Sequence, residues 1–75
     1  MFKSWLNGNE LYLESDLTGH FNLDIFDLTG RSILSSNIAL PNTTAIALPA
    51  LNESIYFVRL TDGKNAYSNK LIYNK

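Results

Sequence analysis

Apolar and polar residues alternate along this chain in short runs, and glycine, proline, asparagine and aspartate fall between the runs. A period of two sends successive side chains to opposite faces of a strand, so each run predicts a half-buried β-strand. The longest run, residues 54–61, reads Ser-Ile-Tyr-Phe-Val-Arg-Leu-Thr and holds neither Gly nor Pro. Branched and flat side chains pack well between cross-strand neighbours, so this run predicts a central, largely covered strand. Its one charge, Arg59, has a stem long enough to lie on apolar surface while the head stays wet.

The other runs arrange themselves around it. Residues 2–6 predict a first strand ending at Asn7-Gly8, a strong two-residue hairpin signal, and residues 11–14 return from it. Residues 15–19 are turn chemistry. In residues 21–27, Phe21, Leu23 and Ile25 share one face and Asn22 and Asp24 the other. Asp27-Leu28-Thr29-Gly30 places aspartate and glycine at the favoured ends of a type I turn, and residues 31–35 leave it as the partner strand. Residues 37–44 read as a connection centred on Pro41-Asn42. Residues 44–48 read as a strand with Ile46 and Leu48 on one side, closed by Pro49, which removes a ladder donor. Leu51 is expected to plug the core from the next loop. A tight Asp62-Gly63 hairpin turn and a last strand, residues 66–73, follow the central strand.

Seven short strands with turn signals between them predict a small immunoglobulin-like antiparallel β-sandwich, one domain over residues 1–75. No segment carries a useful helical period. The nearest candidate, residues 38–51, contains both prolines.

Composition narrows the partners more than the fold. A chain of 75 residues lies near the lower limit for folding without staples. The absence of cysteine excludes a disulfide framework and a thiolate zinc site. A 45% hydrophobic content is ample for a small core and far from a disordered composition. A net charge of -1 gives no electrostatic reason to expect nucleic acid or an anionic membrane. No apolar run approaches the ~20 residues that span a bilayer, so no membrane insertion is expected. No signal peptide is visible; for the end of a longer exported protein, that signal is expected upstream.

Candidate chemistry is sparse. His20 is the sole histidine, and a general base or metal site needs partners it lacks, so it reads as a solvated turn residue. Asp24 and Asp27 differ by three positions, which puts them on opposite faces of a strand rather than in a glycosidase-like pair. No Asp-x-Asp-x-Asp-Gly calcium loop exists. Asp16, Asp24, Asp27 and Asp62 therefore read as turn starts and solvated strand faces. Gly30-Arg31 and Gly63-Lys64 set glycine beside a cation, but a phosphate cradle needs a longer loop opening a helix. Trp5, Tyr12, Tyr56, Tyr67 and Tyr73 are the candidates for a carbohydrate-stacking platform, although strand aromatics are more often core or cross-strand partners. Asn42-Thr43-Thr44 and Asn52-Glu53-Ser54 match the N-glycosylation pattern, which matters only in a eukaryotic secretory setting. No nucleophile–base–orienter set can be assembled, so neither an enzyme nor a cofactor is expected.

Three blocks in order carry a resemblance. Phe21-Asn-Leu-Asp-Ile-Phe-Asp27-Leu-Thr-Gly30-Arg31-Ser-Ile33 is a hairpin block; Ile46-Ala-Leu48-Pro-Ala-Leu51 precedes Ile55-Tyr56-Phe57-Val58-Arg59-Leu60; Lys70-Leu71-Ile72-Tyr73-Asn74-Lys75 closes the chain. Together they resemble the type A C-terminal sorting domain of the type IX (Por) secretion system of Bacteroidota, over residues 11–75. Asp27, Gly30, Arg31, Tyr56 and Val58 fall on its motif positions. Two positions depart: Ser54 stands where glycine usually precedes Ile-Tyr, and Trp5-Leu6-Asn7-Gly8-Asn9 replaces a frequent Pro-Asn-Pro opening, leaving the upstream cleavage region unidentified.

The resemblance implies a non-enzymatic label on an exported cargo, carried through the periplasm to the cell surface or medium. The implied partners are the type IX translocon, its outer-membrane β-barrel shuttle protein and a sortase-like peptidase that removes the label. A terminal strand can be read by main-chain pairing, which gives affinity without a pocket. The expected recognition surface is therefore Asp62, Gly63, Lys70, Leu71, Ile72, Tyr73 and Lys75. The alternative is a carbohydrate-binding or adhesive sandwich module of a secreted protein.

Overall fold

The computed structural model describes residues 2–41, 45–51 and 55–73. Among them run seven strands: β1 (Phe2–Asn7), β2 (Glu10–Ser15), β3 (Gly19–Phe26), β4 (Ser32–Leu40), β5 (Ala45–Ala47), β6 (Ile55–Thr61) and β7 (Ala66–Ile72). They form two antiparallel sheets, β1-β2-β5 and β4-β3-β6-β7. The all-β sandwich expected from the alternation is the observed architecture. Hairpins join β1 to β2, β3 to β4 and β6 to β7, and the connections between hairpins pass from one sheet to the other.

The core lies between the sheets, built from the apolar phase of each alternation. Leu11 and Leu13 of β2 face Phe21, Leu23 and Ile25 of β3 and Tyr56, Val58 and Leu60 of β6. Leu23, Ile25, Val58 and Leu60 are wholly buried, each worth about 1.5–3 kcal/mol relative to exposure. The predicted central strand, β6, is an interior strand between β3 and β7. Leu48 and Leu51 enter the core from outside the strands, so Leu51 is the plug it was expected to be.

Several local expectations change. Residues 37–40, read as part of a connection, continue β4: Asn37 pairs with Asn22, Ile38 with Phe21 and Leu40 with Gly19. The cause is burial, because Ile38 and Leu40 resume the inward phase after the polar Ser35-Ser36-Asn37 run. The Leu40–Pro41 bond that follows is cis. The first hairpin turns one residue later than Asn7-Gly8 suggests, since Asn7 pairs with Glu10 and the loop is Gly8-Asn9. Gly8 alone has positive φ there, at 65°, which fits a turn demanding glycine at its first central position. The fifth strand, Ala45–Ala47, ends before Leu48, which instead donates its N–H to the Asn9 carbonyl at 2.8 Å. The last strand ends at Ile72, one residue before Tyr73. Thr44, Ser54 and both glycosylation patterns lie outside the described residues.

Candidate functional site

The β3–β4 turn is organised by one carboxylate. β3 runs out at Phe26, where the pairing shifts register and leaves Ile33 as the extra residue of β4. Gly30 donates its N–H to the Asp27 carbonyl at 3.0 Å, and Asp27 donates its own to the Arg31 carbonyl at 3.0 Å. Asp27 Oδ1 accepts from the Thr29 N–H at 2.9 Å, the Thr29 hydroxyl at 2.6 Å and the Arg31 N–H at 3.0 Å. Arg31 Nε stands 3.2 Å from Oδ2. Gly30, at φ 89°, occupies a conformation that a side chain would strain.

Asp27 starts the turn, as its Asp-x-x-Gly sequence predicts, and it is only 6% exposed, the one buried charged residue among those described. The segment carrying Pro49, Ala50 and Leu51 lies beside it, lining a cleft with Asp27, Arg31, Ile33 and Tyr56. The Thr29 hydroxyl, followed by the Arg31 and Thr29 amides and the Arg31 charge, holds the Asp27 carboxyl below its ordinary value against the opposing pull of burial. Tyr56 and Val58, the remaining motif residues, are core side chains.

The β6–β7 loop repeats this chemistry in the open. Thr61 pairs with Ala66, so the loop has four residues, Asp62 to Asn65, rather than a tight two-residue turn. Asp62 Oδ1 accepts from the Asn65 N–H at 2.7 Å and the Lys64 N–H at 2.9 Å. Those two amides lower the carboxyl below its ordinary value. Gly63 has φ 93°, and all four loop residues are exposed. A polar groove beside it is lined by His20, Asn22, Asn37, Thr61 and Asp62.

The remaining recognition candidates lie at the far end of β7. Ala66 and Ile72 are six residues apart, about 20 Å of strand, so the structure separates Asp62 and Gly63 from Lys70, Leu71, Ile72 and Tyr73. Leu71 is 2% exposed and Tyr73 packs on the core, whereas Lys70 and Ile72 point outward. Lys75 lies outside the described residues. β7 is an edge strand, and at its middle Asn69 Nδ2 donates to the Phe2 carbonyl at 2.7 Å, tying the last strand to the first.

This far end is also where the motif residues gather. Phe26 pairs with Phe57, and Phe57 with Lys70, so the Asp27 turn, Ile55 and Ile72 all occupy one end of the sheet. On its outer face Phe26 and Ile55 are half-buried, Phe57 is 39% exposed and Ile72 is 56% exposed. The Arg59 guanidinium carbon sits 5.1 Å from the Phe26 ring centre, and its Nη2 is 3.6 Å from Asp24 Oδ2. Phe26, Ile55 and Phe57 were not singled out from sequence. The available signal was Phe57 itself, an apolar residue on the phase of β6 opposite Tyr56, Val58 and Leu60.

The aromatic platform does not assemble from all five candidates. Trp5 and Tyr12 share the outer face of the three-stranded sheet, ring centres 5.9 Å apart and planes 11° apart. Tyr56 is buried, and Tyr67 packs edge-on to Phe21. Among the described residues no group of three His, Asp or Glu side chains could hold a metal ion, and no helix is long and apolar enough to cross a membrane.

Comparison with known proteins bears on most of the chain. A family model described as a secretion system C-terminal sorting domain matches residues 7–74. No curated protein and no solved structure matches.

Proposed function

Because the chain belongs to the family of secretion system C-terminal sorting domains, we propose that it is the address label of an exported cargo, read in the periplasm by the type IX outer-membrane translocon. Membership makes it a sorting signal for export toward the cell surface or medium, and the match over residues 7–74 carries the reading. In the proposed scheme the domain itself catalyses nothing. A β-barrel shuttle protein escorts it and a sortase-like peptidase removes it.

The recognition residues in this scheme run along β7 from end to end: Asp62 and Gly63 in the loop before it, Lys70, Leu71, Ile72 and Tyr73 at its far end, and Lys75 after them in the sequence. Two placements support this assignment. β7 is an edge strand, and Lys70 and Ile72 present their side chains to solvent. Leu71 and Tyr73 contribute by seating that strand on the core.

The test fuses the chain to the C-terminus of a periplasm-targeted fluorescent protein. It is expressed in a bacterium with a working type IX system and in a translocon-deficient strain. Surface and medium fluorescence in the first strain only is the expected result. Retention in both strains, with the domain folded, would overturn the proposal.

The Trp5–Tyr12 pair favours a second reading, a glycan-binding face. Near-parallel, partly exposed rings suit the apolar face of a sugar. Trp5 is the only tryptophan, so its fluorescence reports such binding directly. An unchanged emission spectrum across an oligosaccharide panel would eliminate it.

A further inference from the structure

We infer that the sorting domain docks through the outer face of its four-stranded sheet, at the end bearing Phe26, Ile55, Phe57, Lys70 and Ile72, onto an outer-membrane protein surface that is apolar at its centre and acidic at its rim. The inference rests on the sorting function proposed above and names the contact within it.

The solvent face of an antiparallel sheet is ordinarily polar. On this sheet one half obeys that rule. Asn22, Asn37, Thr61 and Ser68 share the outer phase around the row Asp24–Arg59. The other half breaks it. Phe26 lies directly across from Phe57, Ile55 directly across from Ile72, and Phe57 and Ile72 are diagonal neighbours on adjacent strands. Adjacent rows on one face bring these side chains into a continuous apolar patch, and such patches mark contact surfaces more often than scattered exposed residues do.

Charge fixes the kind of partner. Among the described residues of this face, Asp24 and Arg59 pair with each other. Lys70, directly across from Phe57, is exposed and makes no ion pair among the described residues. The patch thus offers aromatic and aliphatic anchors beside one uncommitted cation, with no uncommitted carboxylate. A contact with an apolar centre and a charged rim is the usual anatomy of a protein interface. Its complement is apolar with acidic residues opposite Lys70. Arg59, held over Phe26, forms one wall of the patch.

The test uses the same fluorescent fusion in the type IX-competent strain. Phe57→Thr with Ile72→Thr removes the anchors while keeping residues that favour strands. Lys70→Glu reverses the cation, and Asn22→Thr with Ser68→Thr alters the polar half as a control. Losing a central aromatic anchor weakens binding by roughly tenfold or more. The inference predicts periplasmic retention of the double-Thr and Lys70→Glu fusions with unchanged melting temperatures, and export of the control and the parent. Export of the double-Thr fusion at the parent's level would overturn the inference and leave the sorting function standing. Failure of the parent itself to be exported would overturn both.

Should the double-Thr variant melt early, a photo-crosslinking residue placed singly at position 57 or 22 decides instead. Crosslinks to an outer-membrane protein from 57 and not 22 support the docking face. The reverse pattern overturns it.

Discussion

Asp27 and Asp62 each open a hairpin loop on the same sheet, each accepts two backbone N–H groups on one carboxylate oxygen, and each is followed by a glycine of positive φ. They differ in surroundings. Asp27 is buried beside the Pro49–Ala50–Leu51 segment and also takes the Thr29 hydroxyl, whereas Asp62 stands in water at the tip of β6–β7. The same local motif therefore serves as a fixed joint at one end and as an ordinary turn at the other. Water can replace a lost acceptor at Asp62, whereas the Thr29 and Arg31 donors around Asp27 are partly buried and regain water less completely, so an unmade hydrogen bond there costs more.

The sharpest way to break this comparison is to delete both carboxylates. Asp27→Ala is expected to lower Tm by on the order of 10 °C, since two amides and a hydroxyl lose their partner in a partly buried site. Asp62→Ala should shift it far less. Equal shifts in thermal melts would mean that burial does not distinguish the two turns. Gly30→Ala and Gly63→Ala probe the opposite limit. A Cβ added at either glycine meets nothing within 4 Å, so the cost is conformational alone. Each should destabilise by about 1–2 kcal/mol, the penalty for a side chain in left-handed backbone. A much larger loss at Gly30 would show that the joint depends on backbone shape as well as on the carboxylate.

Acid titration sharpens the comparison further. Both carboxyls are lowered in the folded state, by the Thr29 hydroxyl first at Asp27 and by the Asn65 amide first at Asp62. Between the folded and ordinary values the unfolded chain binds more protons, so stability rises with pH across that window. The contribution is complete above the ordinary carboxylate range and is lost as pH falls through the folded value. Tm measured from pH 7 to pH 2 should therefore fall less steeply in Asp27→Asn and Asp62→Asn than in the parent. An acid limb unchanged in both variants would remove these carboxylates from the acid sensitivity.

How much of this was legible in the sequence depends on the range of the cause. The period of two in residues 21–26 and the Asp-x-x-Gly turn after it are local, and the structure keeps both. The extension of β4 was hidden because Ser35-Ser36-Asn37 interrupts the apolar phase, and only the start of β3 at Gly19 supplies the partner that draws residues 37–40 into the sheet. Asp27's burial is invisible for the same reason, since its cover arrives from a segment some twenty residues downstream. Phe57 was legible as a strand residue but not as an exposed one. Within an unbroken apolar run both faces look covered, and only the sheet order reveals that nothing described packs over the outer side of β6.

The smallest expected effect concerns Arg31, whose residue type at a motif position invites a larger claim. Its Nε meets Asp27 at 3.2 Å, but its side chain is 80% exposed while the carboxylate is 7% exposed. An ion pair with one partner in water gains little Coulomb energy and orders a long side chain, so such pairs contribute weakly. The carboxylate also keeps the Thr29 and Arg31 backbone donors whatever side chain stands at 31. Arg31→Ala should therefore lower Tm by at most a few degrees, and raising salt should reproduce part of that shift in the parent. A loss as large as that of Asp27→Ala would make the guanidinium, rather than the amide cage, the element that holds the buried turn.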